Sequence, residues 1–215
     1  YVTVRTHPRM DLDILNYTPK TAYGRHWTNE TELCRGLIVN RRTKDIVARP
    51  FRKFFNLGEM PGQAIPDEPF VAYEKMDGSL GISYLDWDGL PSVATRGRFV
   101  SDQARGGTKI LRELMCDRDL ERFADDCKTI TFCFEIILPD NRIVVDYGER
   151  SDLVLLAAFE TDTGRELTDD EIDALCYPFE RPKTWAFDNL EDAAFSVDGP
   201  DFANGEGVVV RFASG

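Results

Sequence analysis

Glu74-Lys75-Met76-Asp77-Gly78-Ser79 decides how this chain is read, because it sets a lysine beside an acidic turn. The residues on either side have strand character: Val71-Ala72-Tyr73 before it, and Leu80-Gly81-Ile82-Ser83-Tyr84 after it. Asp tolerates turns, and Gly accepts φ > 0 and lets a ligand approach the backbone closely. Lys75 is therefore expected to project from a strand end into a cleft, where its amine can attack the α-phosphorus of a nucleotide. That attack needs the neutral amine, and a lysine of pKa ~10.4 is neutral only about 0.04% of the time at pH 7. Lowering the pKa by about three units, roughly 4 kcal/mol, calls for desolvation together with neighbouring cations or a metal ion. The plainer reading of the same six residues is a surface hairpin with a solvated lysine, so other segments have to decide.

The 215 residues hold one substantial domain or two small ones, and 42% hydrophobic with 11% aromatic content supplies a real core. No apolar run approaches the ~20 residues of a membrane span, and Tyr1-Val2-Thr3-Val4 opens no signal-like segment; a cytoplasmic protein is expected. Five cysteines, Cys34, Cys116, Cys127, Cys133 and Cys176, are widely spaced without a C-x-x-C pair, which points to free thiols. A net charge of −12 argues against a broad nucleic-acid platform. The basic residues nevertheless concentrate locally, from Arg35 to Lys53 and again from Arg96 to Lys109. Acidic ones crowd 117–126 and 166–173, as solvated helix faces would.

Leu37-Ile38-Val39 and Asp45-Ile46-Val47-Ala48 read as a hairpin, with Pro50 closing its second strand. Three prolines and a glycine make residues 60–69 a loop. Ser92-Val93-Ala94-Thr95 is a short strand, the spacing of Ile110, Leu111, Leu114, Met115, Leu120 and Phe123 predicts helices over 102–127, and Thr129 to Phe134 returns to a β pattern. Strands are expected at Asn141 to Tyr147, Leu153 to Phe159 and Gly207 to Phe212, and Thr168 with Glu171 forms a capping-box helix start. Many strands, short turns and few helices favour an α+β domain with mainly antiparallel sheets over a doubly wound parallel one.

Phe134-Glu135 and Glu206-Gly207 each put a carboxylate where an apolar strand meets a loop. Such a pair suits a hydrated Mg²⁺ at a triphosphate or a ribose hydroxyl, although either residue can simply end a strand. Arg35, Lys53, Arg96 and Arg98 are candidate phosphate ligands. Phe55 and Phe159 can stack on an adenine or pack in the core.

Cys34-Arg35-Gly36, Arg49-Pro50-Phe51-Arg52-Lys53-Phe54-Phe55-Asn56, Lys75-Met76-Asp77-Gly78-Ser79, Thr95-Arg96-Gly97, Phe134-Glu135 with Asn141-Arg142-Ile143-Val144-Val145, and Glu206-Gly207-Val208-Val209 follow one another in a set order. In that order they resemble the ATP-dependent RNA ligases, above all the RNA ligase 1 type of bacteriophage tRNA repair, related to the ligase domains of fungal tRNA ligases. The resemblance runs from Glu30 to Phe212. It implies the nucleotidyltransferase fold of covalent ligases, with an ATP cleft between antiparallel sheets and flanking helices. It also implies ATP with Mg²⁺ or Mn²⁺ as cofactors, Lys75 as nucleophile, and a lysyl-AMP intermediate that activates an RNA 5′-phosphate for sealing to a 3′-hydroxyl. Nicked tRNA is one such substrate. Carried over by position, Arg35, Lys53 and Arg96 contact ribose or phosphates, Gly78 permits close approach, Glu135 and Glu206 serve ribose and metal, and backbone around Glu74 reads the adenine.

The resemblance further implies a Lys-x-Lys strand after the Glu-Gly element and a C-terminal domain. Residues 1–215 are accordingly expected to be a single adenylylation domain that stops before both. Two alternatives remain at this stage. One is a DNA ligase or a GTP-using mRNA capping enzyme, which share the lysine motif, and the other is a nucleotide- or RNA-binding module with impaired chemistry.

Overall fold

The structure is a computed structural model that describes residues 1–59, 65–141, 144–197, 199 and 204–213. Its strands are β1 Val2–Thr6, β2 Leu12–Tyr17, β3 Arg35–Asn40, β4 Ile46–Ala48, β5 Phe70–Glu74, β6 Ser79–Leu85, β7 Pro91–Thr95, β8 Ile130–Ile137, β9 Asp152–Glu160, β10 Thr184–Trp185 and β11 Val208–Phe212. The helices are α1 Pro19–Tyr23, α2 Asn29–Leu33, α3 Asp102–Leu114, α4 Asp117–Asp126, α5 Asp169–Ala174 and α6 Leu190–Ser196. They form the expected α+β fold, with three antiparallel sheets ordered β1-β2-β3-β4, β10-β5-β11 and β7-β6-β8-β9.

The β7-β6-β8-β9 sheet is the centre, and β8 shows why. Its side chains alternate between two covered faces, so it is apolar almost throughout. Phe132, Phe134 and Ile136 pack with Leu111 and Met115 near the end of α3 and with Phe123 of α4. The opposite face of the sheet, through Ile82 and Tyr84 of β6 and Ala94 of β7, meets Leu12, Ile14 and Ile38 of the first sheet. Ser101 starts α3 by accepting the Ala104 N–H, and the capping box of Thr168 and Glu171 starts α5 as its sequence predicts.

Between β8 and β9 the register shifts at Cys133/Phe134: Cys133 opposes Ala157 and Phe134 opposes Leu155, so Leu156 bulges out of the ladder. Its freed carbonyl accepts a hydrogen bond from Arg211 Nη2 at 2.7 Å.

Among the described residues one predicted strand is absent. Pro139–Asn141 form a 3-10 turn, and 144–147 join no sheet; Arg142 and Ile143 lie outside the described residues. The β-favouring valines misled the pattern because the amides of Val144 and Val145 are spent on a side chain, the carboxylate of Asp77. All five cysteines are free thiols, with Cys34, Cys127 and Cys133 buried. Among the described residues no helix is long and apolar enough to cross a membrane.

Candidate functional site

Lys75 follows the last residue of β5 and precedes β6, so it lies where the central sheet and the β10-β5-β11 sheet meet. Its backbone N–H donates to Gly207 O at 2.9 Å. Gly207 has φ 130°, a conformation in which glycine carries no Cβ penalty. The side chain forms an ion pair with Glu206, in the loop before β11.

Asp77 plays a different part from the turn residue that its sequence suggests. It is 4% exposed, and one carboxylate oxygen, Oδ2, accepts the N–H groups of both Val144 and Val145, the latter at 2.6 Å. Its own N–H donates to Tyr147 Oη at 3.0 Å. A buried carboxylate with charge-assisted bonds of this kind fixes the loop behind the lysine to a segment some seventy residues later. Gly78 is required for space and not for a positive φ: a Cβ there would lie 2.4 Å from Ile136 O of β8. The close neighbour is the protein's own strand β8, where the sequence reading expects a ligand.

Glu135 does not end its strand, as the sequence suggests, because the apolar run continues through Ile137; it points to the same side from within β8, paired with Leu80 on β6 and Val154 on β9. Burial pushes its carboxyl up to about 8, against the pull of Arg35 and a hydrogen bond from the Gly78 amide; Glu206 and Asp77 add like-charge repulsion. Burial also lowers the Arg35 pKa. The Arg35 guanidinium stacks over Phe54 at 4.8 Å, and its Nη1 is buried without a hydrogen-bond partner. Such an orphaned donor is costly unless an acceptor arrives.

These residues line a cleft of about 1070 Å³. Of the candidates read from the sequence, it brings together Arg35, Glu74, Lys75, Gly78, Arg96, Arg98, Glu135 and Glu206. The N–H of Glu74 is already donated to Lys183 O at 2.8 Å. Lys53 and Phe55 lie outside the lining: the Lys53 ammonium sits 4.3 Å over the Phe55 ring, 3.7 Å from Glu59, and burial lowers its pKa. Phe51 and Phe54 from the same segment line the cleft instead, and Phe159 packs edge-on against Phe51 at 5.1 Å, in the core.

Arg211 was not foreseen. It lies 4.3 Å over the Tyr73 ring, pairs with Glu166 at 2.6 Å, and reaches the cleft from β11. The sequence signal was present, an arginine inside the apolar run Val208 to Phe212.

A family model described as RNA ligase matches residues 33–215. The chain belongs to the RNA ligase family. It is 30% identical over 184 residues to a protein of Autographa californica nuclear polyhedrosis virus named as a bifunctional polynucleotide kinase/RNA ligase, covering 76% of this chain and 26% of the viral one. A protein of Thermovibrio ammonificans named as an RNA ligase is 31% identical over 143 residues, covering 63% of this chain and 36% of that one. The chain thus spans about a quarter to a third of these relatives. In fold it is similar to an archaeal ATP-dependent RNA ligase, with a TM-score of 0.65 at 19% identity over 98% of this chain and 55% of the archaeal one. It is also similar to a Naegleria gruberi RNA ligase variant described with ATP and Mn, with a TM-score of 0.53 at 17% identity over 67% of this chain and 47% of that one.

Proposed function

We propose that this RNA ligase family chain is a nucleotidyltransferase domain that takes AMP from ATP onto Lys75 and passes it to an RNA 5′-phosphate for sealing to a 3′-hydroxyl. The carrying observation is the meeting of Lys75 and Glu206, 131 residues apart, in a cleft that also holds Arg35, Arg96 and Glu135. In the first step the Nζ lone pair forms a bond to the α-phosphorus, and the bond to the bridging oxygen breaks as pyrophosphate leaves. Glu206 is the carboxylate in place to receive the proton that Nζ gives up. Arg35, with its unsatisfied Nη1, and Arg96 meet the charge on the phosphates. An oxygen of the RNA 5′-phosphate then displaces lysine from the α-phosphorus, and a 3′-oxygen attacks the 5′-phosphorus with AMP as the leaving group. The resemblance to tRNA-repair ligases makes a nicked tRNA the first RNA to try.

The donor set fits Mg²⁺ or Mn²⁺. Glu135 and Glu206 are hard oxygen ligands whose charges repel each other, a cost that a cation beside them offsets. Among the described residues no group of three or more His, Cys, Asp or Glu is placed to hold a metal, so water and phosphate oxygens would complete the shell. When bound, the cation supplies charge neutralisation at the triphosphate.

The test is incubation with α-labelled ATP and Mn²⁺ or Mg²⁺, beside Lys75→Ala and beside labelled GTP. Acid-labile label on the parent chain alone, from ATP alone, is the expected result. Transfer from GTP alone would point to capping-type chemistry, and binding without covalent label would point to a nucleotide-binding module.

A further inference from the structure

The cleft is larger than one nucleotide requires. At about 1070 Å³ it lies at the top of the ~300–1,000 Å³ range of pockets that enclose a drug-sized ligand, and it continues past Lys75 onto the N-terminal sheet. Residues 1–32 lie outside the family match. Thr3 and Arg5 of β1 and Asn16 of β2 nevertheless line this cleft.

The continuity is built strand by strand. Arg96, in the turn after β7, donates to Tyr17 Oη of β2 at 3.0 Å, and a Cβ on Gly97 would come within 3.8 Å of Asn16 Nδ2. Asn16 is paired with Arg35 on one side and Thr3 on the other. Thr3 and Arg5, two residues apart on one strand, share a face. With strands about 4.8 Å apart, β1 lies some 10 Å beyond β3, roughly the reach of one or two further nucleotides.

The charge of this extension is opposite to that of the molecule. In a chain of net charge −12, Arg5, Arg96, Arg98 and Arg105 line this end of the cleft with one carboxylate, Asp102, which is already paired with Arg105 at 2.5 Å. All four arginines are exposed. Two buried polar atoms without hydrogen-bond partners, Asn16 Oδ1 and Arg35 Nη1, belong to the paired residues at the seam with the nucleotide end. A donor-lacking amide oxygen beside an acceptor-lacking guanidinium suits a ligand carrying both hydroxyl and phosphate.

We propose that the 5′-phosphorylated RNA strand lies along this extension, with its terminal phosphate toward Arg35 and Arg96 and its following phosphates on Arg98, Arg105 and Arg5. The N-terminal strand is then an RNA-binding element outside the stretch that the family model matches. This inference rests on the ligase reading above, and its test separates the two. Arg5→Glu and Arg105→Glu are compared with the parent chain for binding of a short 5′-phosphorylated single-stranded RNA by fluorescence anisotropy across a salt series, and in parallel for label taken from α-labelled ATP. Each reversal is expected to weaken RNA binding about 5- to 20-fold and to flatten the salt dependence by about 0.7 in log–log slope, while ATP labelling stays at the parent level. Parent-level RNA binding by both variants, or no RNA binding by a parent chain that labels normally, overturns the RNA track and leaves the lysine chemistry standing. Charge-dependent RNA binding by a parent chain that takes up no label supports the track and sinks the adenylylation reading.

Discussion

The two walls that meet at Lys75 are built differently. On one side Glu135 rises from the middle of a central strand whose neighbours Phe134 and Ile136 are fully buried, and the Gly78 loop is pressed against that strand. On the other side Glu206 precedes β11, whose residues are only partly buried and whose sheet has three strands. One carboxylate is set in the core; the other is held by a peripheral sheet and by its ion pair with the lysine. The contrast suits a site in which one wall keeps its geometry while the other exchanges partners as a nucleotide enters.

The sharpest way to break the site is to remove the residue that both walls face. Lys75→Ala should lower covalent labelling by more than about 10³-fold, because among the described residues Lys75 is the only lysine lining the cleft, yet shift stability by no more than about 0.5 kcal/mol. Labelled ATP and a denaturant melt measure both. Gly78→Ala attacks the fixed wall. With Ile136 O 2.4 Å from the new Cβ, the loop or β8 must move; labelling is expected to fall about 10²-fold with a loss of about 2–4 kcal/mol. A variant as stable as the parent would mean that the wall yields.

Glu206→Gln tests the exchangeable wall and should separate the two readouts. Labelling drops about 10-fold or more while stability changes by less than about 1 kcal/mol, since the ion pair it removes is partly exposed. A large destabilisation would show that Glu206 is structural. The smallest effect lies away from both walls, under the N-terminal sheet. His7 is buried, its Nδ1 accepts the Arg9 N–H at 3.2 Å, and its pKa is lowered chiefly by burial, with Asp86 opposing. The unfolded chain therefore binds the proton first. Stability should be full above about pH 6.5 and decline as pH falls through the lower folded value, by at most about 1.4 kcal/mol per pH unit. Denaturant midpoints between pH 8 and 5 would show the slope, and His7→Gln should flatten it; a parent midpoint independent of pH refutes it.

Much of the architecture from β3 onward was legible because its strands are apolar runs bounded by Gly, Pro or Asp, and the helices over 102–127 because their apolar spacing is regular. β1 and β2 escaped notice. β1 is short and exposed on most of its length, so its alternation carries little hydrophobic contrast. Six of the site candidates, Arg35, Lys75, Gly78, Arg96, Glu135 and Glu206, were readable as residue types and do share one cleft, although Glu135 lies within β8 and not at its end. The sequence could not show that Lys53 turns toward Phe55, that Arg211 bonds the carbonyl freed by a bulge, or that Asp77 consumes two valine amides. Each depends on partners more than fifty residues away or on the rotamer of a long side chain.

The pairing of β5 with β10 and β11 also has a consequence for how the molecule is made. A strand completed at Glu74 waits for partners at Thr184–Trp185 and Val208–Phe212. At ~5–20 residues per second, roughly 7–26 seconds of translation separate Lys75 from the carboxylate that meets it. Until Thr184–Trp185 is made the nascent chain carries β5 with both edges open, and until Val208–Phe212 is made with one, the type of strand most prone to pair with the wrong neighbour. The carboxylate that meets Lys75 does not yet exist, so the pair proposed to take up AMP forms only once translation reaches Glu206.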